Sequence, residues 1–212
     1  MKCFLSILVC LSNILTLFAQ QKTVTPDLSK VADSKIWTTA NRTFNFKDGA
    51  IFMDAKEGDG LAHLNDFTFE NGTIELDIKG RDEQGRSFVG VAFHGLNDST
   101  YDAVYFRAFN FKNPERSNHS VQYISEPVYT WSKLRNEHPN QYENTVKPVP
   151  SPNDWFHATI VVEFPSVKVY VNNSTEPSLA VNQLSTRKKG WLALWVGNGS
   201  DGYFKNLKIT GK

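Results

Sequence analysis

Cysteine is almost absent from this sequence of 212 residues, and the two that occur, Cys3 and Cys10, both lie within its first ten positions. The rest of the chain can therefore form neither a disulfide nor a metal site with thiolate ligands. The His-Glu-x-x-His pair, the phosphate loop, the dinucleotide fingerprint and the Gly-x-Ser-x-Gly elbow are absent too. The sequence thus lacks the usual signatures of zinc proteases, nucleotide-dependent enzymes and serine hydrolases.

An excess of charge of one sign is also missing, since 23 Lys and Arg residues face 22 Asp and Glu residues. Removing residues 1–19 removes Lys2 and no acidic residue, which leaves 22 charges of each sign. A balanced chain gives no electrostatic reason to bind nucleic acid or an anionic membrane surface. We expect no nucleic-acid partner, and we expect a monomer.

Long apolar runs are confined to the N-terminus. Lys2 precedes a nearly uniform apolar stretch from Phe4 to Phe18, and Ala19 supplies a small residue at which a signal peptidase can cut. We predict that residues 1–19 are a secretory signal peptide and that the protein is secreted or periplasmic. No later stretch reaches 18 apolar residues, so we expect no membrane span.

Helical periodicity is scarce, and most of the chain alternates between apolar and polar residues. Residues 155–164 and 166–171 alternate with period two on either side of a Pro165-Ser166 turn, which predicts an antiparallel hairpin with one buried face. Similar short segments predict an all-β fold over residues 41–212, a two-sheet antiparallel jelly-roll sandwich, after a linker with an edge strand at 20–40. The predicted strands are 43–46, 50–55, 61–69, 72–79, 87–94, 101–109, 119–125, 155–164, 166–171, 189–196 and 202–209.

The connection 126–153 is long for a compact domain and is rich in aromatic residues, among them Tyr129, Trp131 and Tyr142. Aromatic side chains have apolar area to bury, so we predict that this segment packs over a face of one sheet. We also predict one or two helical turns at residues 131–138.

The order of five segments resembles the concanavalin A-like lectin/glucanase superfamily, which includes laminin G-like and 3-keto-disaccharide hydrolase-like domains. This resemblance implies two curved antiparallel sheets, with ligands bound on the concave face or its rim. The superfamily contains lectins, glycosidases, polysaccharide lyases and adhesion modules, so the fold alone does not give the function. The matching segments are 69–77, 88–94, 101–107, 155–171 and 202–209.

A candidate sugar site follows if the strands at 88–94, 101–109 and 189–196 share one sheet. Alternation then places polar and aromatic side chains on the face opposite the core, beside small residues. A ring for stacking, donors for hydroxyl groups and free space are the components of a sugar site. The alternative is a face covered by the 126–153 segment, with Arg107 paired to Glu126, Glu137 or Glu143. The predicted ligand-binding residues are His94, Tyr105, Arg107, Gln122, Trp131, Arg135 and Trp195, with Tyr123 as the alternative to Gln122.

Two kinds of catalysis are alternatives to simple binding. Glu75 and Asp77 resemble the start of the carboxylate strand of family 16 glucanases, but Lys79 stands where the terminal acid should fall, which favours a solvated strand face. His94 and His119, with Tyr105 or Tyr123 as a partner, are candidates for proton transfer, because a neutral histidine is an effective base near neutral pH.

Asn198 and Asp201 offer oxygen atoms that could bind a structural calcium ion, although the same residues are ordinary in turns. We expect no other cofactor. The sequence predicts an exported domain that binds or processes an oligo- or polysaccharide. The alternatives are a glycoside hydrolase or lyase of the 3-keto-disaccharide hydrolase-like type, and a structural or adhesion domain without a small ligand.

Overall fold

In a computed structural model, residues 22–211 form two antiparallel sheets that pack face to face. The predicted signal peptide lies outside the described residues, so it stays a prediction. Within the described residues, no helix has the length and apolar character needed to cross a membrane. The strands are β1 (Lys22–Val24), β2 (Trp37–Ala40), β3 (Phe44–Lys47), β4 (Ala50–Met53), β5 (Gly60–Leu64), β6 (Gly72–Lys79), β7 (Phe88–Asn97), β8 (Thr100–Arg107), β9 (Val121–Glu126), β10 (Glu143–Asn144), β11 (Phe156–Glu163), β12 (Ser166–Val171), β13 (Leu179–Asn182), β14 (Trp191–Val196) and β15 (Gly202–Gly211).

The two-sheet antiparallel sandwich predicted from the sequence is confirmed. The first sheet has the order β13-β12-β11-β6-β15-β4-β3, with β1 paired to β15, and the second has the order β10-β9-β8-β7-β14-β5-β2. The predicted hairpin is β11 and β12, which close on the pair Glu163 and Ser166. Strands β1, β10 and β13 were not predicted, because three and two residues are too short to show a periodic pattern and the four residues of β13 do not alternate.

Period-two alternation builds the core between the sheets. In β6, Ile74, Leu76 and Ile78 are fully buried, while Glu75 and Asp77 point to the outer face of the first sheet. Burying one large apolar side chain is worth about 1.5–3 kcal/mol, so such a strand contributes strongly to stability. On the outer face Glu75 pairs with Lys208 and Asp77 with His157, as expected for a solvated strand face.

The segment 22–40 packs more closely than the predicted linker. Leu28, Val31 and Trp37 are buried in the core, and the Trp37 indole nitrogen donates to the carbonyl of Asp27 at 3.4 Å. The predicted edge strand is β2, which ends the second sheet. Alternation failed to indicate Leu28 and Val31 because they lie in a short 3₁₀ helix, Leu28–Lys30, and in the turn after it, whereas Trp37 is the first residue of β2.

The segment between β9 and β11 packs over the outer face of the second sheet, as predicted. It contains helix α1 (Trp131–Glu137), whose first turn is capped by Thr130, since the Thr130 hydroxyl accepts from the backbone N–H of Lys133 at 3.3 Å. Leu134 is buried in a second apolar cluster on this face. Trp131 was expected to be buried with it, but half of its side chain remains exposed at the start of the helix.

Candidate functional site

A cavity of about 900 Å³ lies between helix α1 and the outer face of the second sheet, and we call it the cleft. Tyr105 and Arg107 from β8 and Trp195 from β14 line its floor, while Trp131 and Arg135 line the side formed by α1. The sequence prediction that strands β7, β8 and β14 share a sheet is therefore correct.

Gly90 lets two aromatic rings meet on the floor. This residue lies in register with Tyr105 on one neighbouring strand and Trp195 on the other, and the centroids of those two rings are 5.0 Å apart. A Cβ atom at Gly90 would approach the Val104 carbonyl oxygen to 2.1 Å. The close packing of the floor therefore requires glycine here.

Arg107 is the centre of a polar network on the floor, although only 4% of the residue is exposed. Its Nη2 donates to the hydroxyl of Tyr105 at 2.6 Å and to Oε1 of Gln122, and its Nη1 donates to the carbonyl of His119 at 3.0 Å. The Tyr105 hydroxyl donates to the same Gln122 oxygen at 2.9 Å. The structure thus selects Gln122 over Tyr123 as the residue on this face, since Tyr123 points into the core.

Glu143, on β10, joins this network to the helix. Arg135 donates to both Glu143 carboxylate oxygens, at 3.0 Å and 2.7 Å, and Nδ1 of His119 lies 2.8 Å from one of them. Burial acts to raise the pKa of Glu143, but the hydrogen bonds and charge of Arg135, with the charges of His119 and Arg107, outweigh burial and hold it below its ordinary value. The carboxylate is therefore ionised and fixed.

Trp131 presents an exposed ring at the rim of the cleft. One side of the ring faces the guanidinium of Arg135, whose Cζ lies 5.2 Å from the ring centroid. This cation–π contact limits the orientation of the indole. An aromatic face held at the mouth of a polar cavity is suited to stacking on the apolar face of a ligand ring.

Asn110, which was not predicted from the sequence, lines the cleft and has an unpaired acceptor. Its Nδ2 donates to the carbonyl of His119 at 3.1 Å, whereas its Oδ1 has no hydrogen-bond partner among the described residues. The residue is 3% exposed and lines the cavity. Because a buried acceptor without a partner is costly, this oxygen would accept a hydrogen bond from a donor that reaches it beside the cleft, either a water molecule or a ligand hydroxyl.

Asp59 and Glu126 also line the cleft. Neither acidic residue was predicted from the sequence to bind a ligand. The Tyr101 hydroxyl donates to Oδ2 of Asp59 at 2.6 Å, and the Trp195 indole nitrogen donates to the Tyr101 hydroxyl at 3.1 Å. Burial raises the pKa of Asp59, and burial together with the charge of Asp59 raises the pKa of Glu126. Asp59 lies in the loop just before β5, where no periodic pattern could indicate the direction of its side chain.

His94 was predicted to lie in this site, and the structure shows that prediction to be wrong. The register of β7 against β8 shifts after Phe93, and His94 has a positive φ of 50°, so the simple alternation that placed it in the cleft does not hold. Its Nε2 lies 2.6 Å from the carbonyl oxygen of Glu70, and its Nδ1 lies 3.0 Å from the side-chain nitrogen of Gln183. Fully buried and stacked on Phe69, it does not line the cleft.

The other sequence candidates for proton transfer are in the cleft but are separated from His94. His119 lines the cavity and faces Glu143. Burial raises the pKa of Tyr105 to about 12, which keeps its hydroxyl neutral at physiological pH. Tyr105 is thus a hydrogen-bonding group of the floor.

The two calcium candidates are each bound to neighbouring groups. Oδ1 of Asn198 accepts from the backbone N–H of Gly58 at 2.7 Å, and Asp201 pairs with Arg81 at 3.0 Å. Within residues 22–211, no group of three or more His, Cys, Asp or Glu side chains is arranged to hold a metal ion.

Solved structures share this architecture. The carbohydrate binding module CBM66 from Bacillus subtilis is 18% identical, with a TM-score of 0.59, and the match covers 82% of this chain and 94% of that chain. The laminarinase catalytic domain from Thermotoga maritima MSB8 is 11% identical, with a TM-score of 0.57 and coverage of 85% and 93%. The Bacillus licheniformis beta-glucanase is 14% identical, with a TM-score of 0.53 and coverage of 85% and 94%. At such identities the likeness shows the fold alone, which is the concanavalin A-like jelly roll that the sequence resembles.

No curated protein matches the sequence. The model of one family, the 3-keto-alpha-glucoside-1,2-lyase-like domain, matches residues 27–210. This match includes both sheets, apart from β1 and the last residue of β15, and every cleft residue described above. The chain therefore belongs to the family of 3-keto-alpha-glucoside-1,2-lyase-like domains.

Proposed function

We propose that this protein binds a glycan in the cleft on the outer face of its second sheet. One observation carries the proposal: one cavity has a fixed polar floor, an exposed ring, Trp131, at its rim, and in its lining Asn110, whose buried Oδ1 has no partner among the described residues. A sugar offers hydroxyl groups to such a floor and an apolar face to such a ring.

The size and rigidity of the cleft support this assignment. A cavity of about 900 Å³ lies within the range of about 300–1,000 Å³ found for ligand pockets. Arg107, Gln122 and Tyr105 hold one another through hydrogen bonds before any ligand arrives. A site that is already ordered loses less conformational entropy on binding, which favours affinity.

The comparisons support a carbohydrate as the ligand class. A carbohydrate-binding module, a laminarinase and a glucanase share the fold, and the family is described by an activity on a glucoside. The predicted signal peptide extends the proposal to an exported protein, secreted or periplasmic, that meets its glycan outside the cytoplasm.

Processing of the bound glycan is a second candidate function, as a lyase or hydrolase of a keto-glucoside. The observation that favours it is that the carboxylic acids of Asp59 and Glu126 line the same cavity as the polar floor. A structural or adhesion domain without a small ligand is the outcome if the cleft binds no sugar.

Binding to a glycan array, followed by calorimetry on the best ligand, tests the proposal with Trp131→Ala. We expect this variant to weaken binding about tenfold, which corresponds to ~1.4 kcal/mol. Trp155→Ala is the matched control, because Trp155 is also an accessible tryptophan but contacts Lys205 and Tyr203, away from the cleft. Equal affinity of the two variants, or no binding by the unmodified protein, would contradict the proposal.

A further inference from the structure

A second cavity lies on the outer face of the first sheet, on the opposite side of the sandwich from the cleft, and we call it the hollow. Its volume is about 340 Å³, which falls in the range of about 300–1,000 Å³ found for ligand pockets. Phe52, Tyr203, Lys79, Asn153 and Asp201 are among the residues that line it, and none of its lining residues lines the cleft.

The register of three neighbouring strands brings a ring and a cation together at the hollow. Tyr203 on β15 lies opposite Phe52 on β4 and Lys79 on β6. Phe204 and Ile78, the next residues along β15 and β6, are buried in the core, so Tyr203 and Lys79 point to the outer face. The ring centroids of Tyr203 and Phe52 are 4.7 Å apart, yet 40% of Tyr203 is exposed. The hollow thus contains an aromatic ring that is supported from one side and accessible to a ligand.

Lys79 supplies a positive charge that no carboxylate neutralises. Its Nζ lies 5.5 Å from the centroid of the Tyr203 ring, and this cation–π contact limits its position. Lys79 forms no ion pair within residues 22–211, whereas the other cation of the hollow, Arg81, pairs with Asp201 at 3.0 Å and with Glu83 at 2.9 Å. One positive charge of the hollow is therefore available to an anionic group.

Asp201 and Asn153 are each held through one oxygen atom and leave a second polar group free. Oδ1 of Asp201 lies 3.0 Å from Nε of Arg81, and Oδ1 of Asn153 accepts from the backbone N–H of Asp82 at 2.8 Å. Oδ2 of Asp201 and Nδ2 of Asn153 have no hydrogen-bond partner in the part of the chain that the structure describes. The hollow therefore presents a fixed acceptor and a fixed donor beside the ring and the ammonium group.

We propose that the hollow binds a hexuronic acid residue of an acidic glycan. The carboxylate of the uronate pairs with Lys79, since a hydrogen bond between two ionised groups is stronger than one between neutral groups. One sugar hydroxyl donates to Asp201 and another accepts from Asn153, while the apolar face of the sugar ring rests on Tyr203. This site goes beyond the proposed function, because it is a separate cavity that selects its ligand by charge.

Titration of the ¹⁵N-labelled protein with two methyl glycosides, followed by NMR, tests the proposal. Methyl β-D-glucuronide and methyl β-D-glucoside differ only in the carboxylate. We expect the glucuronide to bind at least about tenfold more tightly and to shift the backbone amides of Gly80 and Tyr203. Lys79→Gln should remove this preference, and Tyr203→Ala should weaken the binding of both glycosides by about tenfold.

Two surface variants are matched controls. Lys168→Gln removes an exposed lysine from β12 on the same face of the first sheet, and Phe46→Ala removes a ring that is 38% exposed on β3. Neither residue lines the hollow, so neither variant should change the affinity for the glucuronide.

Asn153→Asp tests the fixed donor without changing the shape of the side chain. The variant keeps the oxygen that accepts from Asp82, but it replaces the free amide donor with an oxygen that repels a uronate. We expect it to weaken the binding of the glucuronide more than that of the glucoside. Equal losses for the two glycosides would contradict the placement of the carboxylate in this hollow.

The outcomes separate this inference from the proposed function. Equal affinity of the unmodified protein for the two glycosides, or a loss on Lys168→Gln as large as that on Lys79→Gln, overturns the assignment. If the glucuronide shifts the amides of cleft residues such as Gln122 and not those of the hollow, the hollow is not the site and the glycan site in the cleft stands. If the hollow binds the glucuronide and the cleft binds no glycan, the proposed function fails and this inference stands.

Discussion

Nη1 of Arg107 lies 3.5 Å from Oε2 of Glu143, although these residues belong to β8 and β10, which are separated by β9. Two alternatives were open for Arg107: a ligand-binding residue, or the partner of a carboxylate from the long segment. The structure shows the second, since the guanidinium pairs with Glu143, and Arg107 also lines the cleft for which the first is proposed. A structural ion pair here also shapes the surface of the proposed binding site.

Loss of Glu143 should destabilise the protein more than loss of Arg107. Glu143→Ala leaves Arg107 and Arg135 without their common anion, and breaking a buried pair costs about 3–5 kcal/mol. Arg107→Ala leaves Glu143 paired with Arg135, so we expect a loss of about 1.5–3 kcal/mol, the value of hydrogen bonds to a charged group. Urea unfolding of both variants measures the difference, and the reverse order would contradict this account.

Glu143 should also make the stability of the fold depend on pH under acidic conditions. The pKa of Glu143 in the folded state is below its ordinary value of 4.5, so its charge stabilises the fold above that pH. This contribution is lost as the pH falls from 4.5 through the lowered pKa. We expect the difference in unfolding free energy between the unmodified protein and Glu143→Gln to shrink over that range. Glu137→Gln, at an exposed position of α1, is the control and should show no such convergence.

Asn110→Ala should separate binding from stability. The substitution removes one hydrogen bond and one unsatisfied acceptor, so we expect the unfolding free energy to change by less than about 1 kcal/mol. Glycan affinity should fall, because the oxygen that would accept from the ligand is gone. Ser120 is the matched control: its buried hydroxyl also lacks a partner among the described residues, but it does not line the cleft. If Ser120→Ala weakens glycan binding as much as Asn110→Ala does, the loss of affinity in Asn110→Ala is indirect.

Alternation predicted most of the fold and the floor of the cleft, because a strand that is regular fixes the direction of each side chain. Tyr105, Arg107 and Trp195 were placed correctly for this reason. His94 was misplaced because the register of β7 shifts just before it, and a shift of this kind leaves no mark in the hydrophobic pattern.

Residues outside long strands could not be assigned in the same way. Glu143 was one of three carboxylates considered for Arg107, and only the pairing of the two-residue strand β10 with β9 selects it. Asn110 and Asp59 lie in short or turning segments, where their positions depend on contacts between distant parts of the chain. The unpaired acceptor of Asn110 and the position of the Asp59 carboxyl group therefore follow only from the three-dimensional structure.

The residues that anchor helix α1, which forms the rim of the cleft, differ from the residues that face the opening of the cleft. Leu134 and the pair of Arg135 with Glu143 anchor helix α1, whereas Trp131 is half exposed and bears little of the packing. Surface substitutions away from such anchors usually change stability by no more than about 0.5 kcal/mol. If the cleft binds a glycan as proposed, its ligand preference can therefore diverge by mutation at residues 131 and 132 of the first helical turn, and a directed-evolution library confined to those positions would sample new specificities on an unchanged sandwich.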